Sequence, residues 1–151
     1  MTRHFVLLVE DQVLLADVLE ADLALAGFIV TMAYDGIEAL ENLEFAPARY
    51  DAIVTDIRLG KGSPNGWDVA RRARELIPHV PVVYITGDST REWILEGVPH
   101  SIMIAKPFEA AQVILAISTL QSTAPRLGSS MTIHYRSASK RCPRPPPWRR
   151  S

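Results

Sequence analysis

Cysteine is almost absent from this chain, with one residue, Cys142, in 151. A lone thiol excludes an internal disulfide framework and fits a reducing, cytoplasmic setting. Long hydrophobic runs are also missing, since no apolar stretch approaches the roughly 18 residues of a membrane span. Met1-Thr2-Arg3-His4 leads straight into Phe5–Val9 with no small-residue cleavage site, so no signal peptide is expected. The four histidines (His4, His79, His100, His134) show no metal-ligand spacing. Acidic side chains are absent from residues 122–151, which hold 7 basic ones, whereas residues 1–121 carry 17 acidic and 9 basic, a net −8. The overall charge of −1 therefore joins two unlike polymers.

The basic segment sets Pro143, Pro145, Pro146 and Pro147 among arginines and serines. It has too few apolar residues to build a core, and residues 122–151 read as a disordered tail. Charge attraction to nucleic acid, a proline-rich docking peptide, or sequence appended by a frame accident would each account for it. The last two are favoured, because no recognition helix or aromatic-basic alternation is visible.

Residues 1–121 suit one domain with a sizeable core. Five short runs read as strands: Phe5–Val9, Ile29–Ala33, Ala52–Thr55, Val82–Thr86 and Ile102–Ala105. Several are continuously apolar, as expected of parallel strands covered on both faces. Helical periodicity lies between them. Leu15, Val18, Leu19, Leu23 and Ala26 share a face before Gly27. Asp35-Gly36 opens a second helix to about Phe45, and Asn65-Gly66 a third, with Ala70, Ala73 and Ile77 on one face. A short helix follows from about Ser89, and a last one from Phe108 carries Val113, Ile117 and Leu120 inward. Arg71, Arg72 and Arg74 read as a solvated face. Five β-α units predict a doubly wound α/β parallel sheet of five strands, with its site outside the carboxyl ends of the strands.

Those ends carry chemistry. The first strand ends at Glu10-Asp11, the third at Asp56, the fourth at Thr86, and Lys106 follows the fifth. Singly, each has a bland reading: a solvated acidic pair, a turn residue, a common strand threonine, a surface lysine. Together they place three carboxylates on one rim, a repulsion that a hard cation such as Mg²⁺ offsets. A carboxylate can attack phosphorus and form an acyl phosphate, while a cation, an ammonium and a hydroxyl neutralise the phosphoryl oxygens.

Val9-Glu10-Asp11, Val54-Thr55-Asp56, Ile85-Thr86-Gly87 and Lys106-Pro107-Phe108 resemble the signature of bacterial two-component response regulator receiver domains. The resemblance covers residues 5–121 and implies a flavodoxin-like (βα)5 fold. It implies Asp56 as phosphoacceptor, Mg²⁺ held by Asp11, Asp56 and the Arg58 carbonyl with Glu10 acting through water, Lys106 paired with the phosphoryl group, and Thr86 as the switch. It also implies a cis Lys106-Pro107 bond. The family usually has Tyr or Phe three residues before the lysine, where this chain has Met103, and the fourth-helix region is short. Arg58 and Asp88, two residues beyond Asp56 and Thr86, border the site as tuning groups or as a salt bridge.

The expected function is a cytoplasmic, stand-alone response regulator, not a turnover enzyme. Its expected partners are a histidine kinase or histidine phosphotransfer protein and a downstream protein. A homodimer is also allowed; no nucleic acid and no membrane are expected. The rivals are a docking module that no longer takes phosphate and a Mg²⁺-dependent phosphohydrolase working through an aspartyl phosphate.

Overall fold

A computed structural model describes residues 3–62, 64–87 and 90–123. Its elements are β1 (His4–Val9), α1 (Val13–Leu25), β2 (Phe28–Ala33), α2 (Gly36–Phe45), a 3₁₀ turn (Pro47–Arg49), β3 (Ala52–Asp56), α3 (Gly66–Leu76), β4 (Val82–Thr86), α4 (Thr90–Glu96), β5 (Ser101–Ala105) and α5 (Ala110–Thr123). Every strand and helix expected from the pattern is present, with ends shifted by a residue or two. The helix α5 runs two residues past the boundary expected at Gln121, and the rest of the basic segment lies outside the described residues.

The strands form one parallel sheet in the order β2-β1-β3-β4-β5. Alternate residues of each central strand enter opposite cores, so both faces must be apolar. Leu7, Val9, Ile53, Val82 and Tyr84 pack with Leu40 and Leu43 of α2 and Val69 and Ala73 of α3. Val6, Leu8, Val54, Val83 and Ile85 pack with Leu19 and Leu23 of α1 and Val113, Ile117 and Leu120 of α5. The order reverses between β1 and β3, whose carboxyl ends are Val9 and Asp56.

Local signals set the helix boundaries. Asp35 caps α2 by accepting the Glu38 N–H at 2.8 Å. Asn65 and Asp68 form a reciprocal capping box at α3. Gly27, with φ +97°, ends the α1 segment in a left-handed conformation that side chains disfavour.

Two expectations need correction. Val18 and Ala26 are not on the inward face of α1: Val18 is 61% exposed, in line with Leu14 and Leu25, and Ala26 is an exposed C-cap, while Ala16, Leu19 and Leu23 face the sheet. With apolar residues on both sides of this helix, periodicity alone did not separate the two stripes. Nor are the three arginines of α3 simply solvated. Arg71 pairs with Asp68 and Glu96, and Arg72 with Glu44 and Glu75. Arg74 donates to the carbonyls of Val80, Pro99 and His100, strapping α3 to the segment between α4 and β5.

Candidate functional site

Each strand-end residue is delivered by the sheet. Thr55 and Val9 are register partners, so Asp56 sits beside Glu10 and Asp11, which follow β1 directly. Carboxylate oxygens of Glu10, Asp11 and Asp56 lie within 4.8 Å of one another. Lys106 crosses from the end of β5, its ammonium 2.7 Å from Asp56 Oδ2 and 3.5 Å from Glu10 Oε2. Its backbone N–H donates to the Thr86 carbonyl at 2.8 Å, which fixes the β4 and β5 ends relative to each other. A cleft of about 350 Å³ is lined by Asp11, Gln12, Asp56, Arg58, Gly60, Thr86, Gly87 and Lys106.

The five groups expected to converge therefore do so. Arg58 reaches the same cleft, and its backbone N–H donates to Asp56 Oδ1 at 3.1 Å. Asp88, expected beside it, lies outside the described residues. The Lys106-Pro107 bond is cis. Motif reading did not single out Gln12, whose N–H donates to Glu10 Oε1 at 3.1 Å, or Gly60, whose N–H donates to Asp11 Oδ2 at 3.2 Å. The sequence marks Gly66 as the end of a turn and a helix start, yet a Cβ there would lie 2.1 Å from the Asp56 carbonyl oxygen, so α3 meets the strand end without slack. Neither backbone donors nor close approaches leave a residue-type signature.

Burial divides the carboxylates. Glu10 is 1% exposed, and desolvation followed by the charge of Asp56 pushes its pKa up to about 7. Burial pulls the Lys106 ammonium down, but the hydrogen bond to Asp56 and the charges of Asp56 and Glu10 outweigh it, leaving its pKa raised. The cleft thus holds concentrated negative charge that one ammonium only partly neutralises. Three carboxylate oxygens in such proximity match the all-oxygen donor preference of a small hard cation.

Comparison with known proteins agrees with this geometry. The family model for the response regulator receiver domain matches residues 6–118. The chain is 34% identical over 113 residues to the transcriptional regulatory protein DltR of Streptococcus agalactiae, covering 74% of this chain and 49% of that protein. It is 30% identical over 116 residues to the transcriptional regulatory protein CusR of Escherichia coli, covering 76% of this chain and 49% of that protein. The chain thus spans about half the length of these curated relatives. The crystal structure of a response regulator receiver protein from Sinorhizobium medicae is 44% identical, with TM-score 0.76, covering 80% of this chain and 96% of that one. A receiver domain of a sensor histidine kinase from Pseudomonas aeruginosa, with a magnesium ion coordinated in its active-site cleft, is 29% identical with TM-score 0.68, covering 81% of this chain and all of that one.

Proposed function

The chain belongs to the response regulator receiver domain family of two-component systems, and from that premise we propose that Asp56 is its phosphoacceptor. The observation that carries this reading is the convergence of the Glu10, Asp11 and Asp56 oxygens within 4.8 Å, with the Lys106 ammonium on Asp56. The domain so defined ends with α5 at Thr123, two residues past the boundary expected from the sequence, with 124–151 as an appended basic segment.

In the proposed reaction a carboxylate oxygen of Asp56 attacks the phosphorus of a phosphohistidine. The P–N bond breaks, an acyl phosphate forms, and the imidazole leaves with a proton. Asp11, Asp56 and the Arg58 carbonyl would hold Mg²⁺, with Glu10 acting through water. The ion supplies charge neutralisation for the phosphoryl oxygens. The Lys106 ammonium, already on Asp56 Oδ2, follows the charge onto a phosphoryl oxygen. The hydroxyl of Thr86, at the cleft end of β4, donates to another. Arg58 stands two residues after Asp56, close to the nucleophile where a phosphohydrolase working through an aspartyl phosphate needs a general acid, so turnover on phosphomonoesters is not expected.

The phosphodonor is proposed to be a histidine kinase or histidine phosphotransfer protein. The outward face of α1 supports a helical partner: Leu14, Val18 and Leu25 are 83%, 61% and 87% exposed and spaced as a single stripe. Asp17, Glu20 and Asp22 flank it with no basic residue on the helix, so a partner with basic flanks is favoured over a second copy of this chain.

Incubation with acetyl phosphate and Mg²⁺, read by intact mass, tests the assignment. One added phosphoryl group is expected in the parent and none in Asp56→Asn. An adduct that survives in the variant, or none in the parent with any donor or metal, would overturn it.

A further inference from the structure

Among the described residues Tyr84 is the largest fully buried side chain, 0% exposed. It lies two residues before Thr86 on β4, on the same side of the strand, and so along the line that ends in the cleft. Its ring meets Trp67 with centroids 4.8 Å apart and planes at 56°. Trp67 follows Gly66, the residue pressed against the Asp56 carbonyl, and the Gly66 N–H donates to the Ile57 carbonyl at 2.8 Å. On its other side, the Tyr84 hydroxyl accepts the buried Val98 N–H at 3.1 Å. Val98 lies in the turn between α4 and β5. Its carbonyl accepts from Ser101 Oγ at 2.7 Å, and Ser101 Oγ in turn accepts from Trp93 Nε1 of α4 at 3.1 Å. The β5 residue opposite Tyr84 is Met103, flexible and half-buried, which offers no comparably specific link.

A contiguous path therefore runs from both flanks of the cleft through the Tyr84 phenol to the surface helix α4, beside the peripheral links that Arg71 makes to Glu96 and Arg74 to the Pro99 and His100 carbonyls. Close-packed interiors transmit displacement because they have no free volume to absorb it. The Gly66–Trp67 step lies against the Asp56 carbonyl, and Thr86 ends the strand that carries Tyr84, so both flanks of the cleft adjoin the ring.

We propose that Tyr84 is the positioning residue that couples the state of Asp56 to the α4–β5 end of the domain, through its contact with Trp67 and its hydrogen bond from Val98. The inference rests on Asp56 being the phosphoacceptor. Phenylalanine keeps the ring and its packing and removes only the hydroxyl, so Tyr84→Phe separates the relay from the core.

The test follows the Val98 amide and Trp93 indole N–H resonances before and after acetyl phosphate and Mg²⁺, with intact mass on the same samples. In the parent both resonances are expected to shift on phosphorylation. In Tyr84→Phe the adduct is expected to form to the same extent, while the phosphorylation-induced shifts are largely lost. Ser101→Ala, which cuts the link beyond Val98, is expected to keep the Val98 response and lose that of Trp93. A merely structural tyrosine would change stability but leave the induced shifts intact, and shifts of parental size in Tyr84→Phe overturn the relay. An adduct in the parent with both resonances unmoved overturns it while leaving Asp56 as phosphoacceptor; no adduct in the parent overturns both. Should Tyr84→Phe not fold, hydrogen exchange at Val98 in the parent decides: protection must change several-fold on phosphorylation, and unchanged protection refutes the coupling.

Discussion

Glu10→Gln isolates the electrostatic cost of the cleft. In the folded protein Glu10 titrates near 7 against an ordinary value of 4.5. The folded state therefore holds a proton that the unfolded chain has released, and stability is fully present below pH 4.5 and lost as pH rises through 7. The difference of about 2.5 units, at 1.36 kcal/mol each, is on the order of 3 kcal/mol. Glutamine keeps the Oε1 that accepts the Gln12 N–H at 3.1 Å and removes the titration. In metal-free buffer the variant should match the parent near pH 4 and exceed it by up to ~3 kcal/mol at pH 8. For a domain of this size that is a rise of roughly 10 °C in Tm. Urea unfolding at half-unit pH intervals measures it. If the cleft holds Mg²⁺ as proposed, the ion should narrow the gap at pH 8 by favouring the folded parent with its carboxylate ionised. Parallel stability–pH curves for parent and variant between pH 5 and 8 would refute the argument.

Lys106→Met leaves the Asp56 and Glu10 carboxylates without their ammonium at 2.7 and 3.5 Å. Equilibrium unfolding at pH 8 should show a loss of about 2 kcal/mol, smaller at pH 5 where Glu10 is already protonated, and acetyl phosphate should label Asp56 at least ~10-fold more slowly. Gly66→Ala puts a Cβ 2.1 Å from the Asp56 carbonyl oxygen. Backbone cannot yield as a flexible side chain can, so a loss of about 3 kcal/mol or more is expected in urea titration. Arg74→Ala removes the donor to the Val80, Pro99 and His100 carbonyls. About 1–2 kcal/mol of global stability should go, with faster hydrogen exchange concentrated at residues 80 and 98–101.

What could be read along the chain was whatever depends on neighbours in sequence. The apolar runs at residues 5–9, 52–55 and 82–86 announced strands buried on both faces. Asp35-Gly36 and Asn65-Gly66 announced helix starts through caps that act within one turn. Because helix and strand alternate with a fixed handedness, the strand ends had to share one rim. Glu10, Asp11, Asp56, Thr86 and Lys106 could thus be named as one site before any distance was known. Other features depend on neighbours in space. The direction of Val18 was decided by which of two apolar stripes met the sheet, and the partners of Arg74 by a turn 25 residues away. The pKa of Glu10 was decided by burial and by Asp56, 46 positions along the chain. That Tyr84 touches both Trp67 and Val98 follows from three elements packing around one ring. Desolvation and close packing are properties of an enclosed volume, and only the folded chain encloses one.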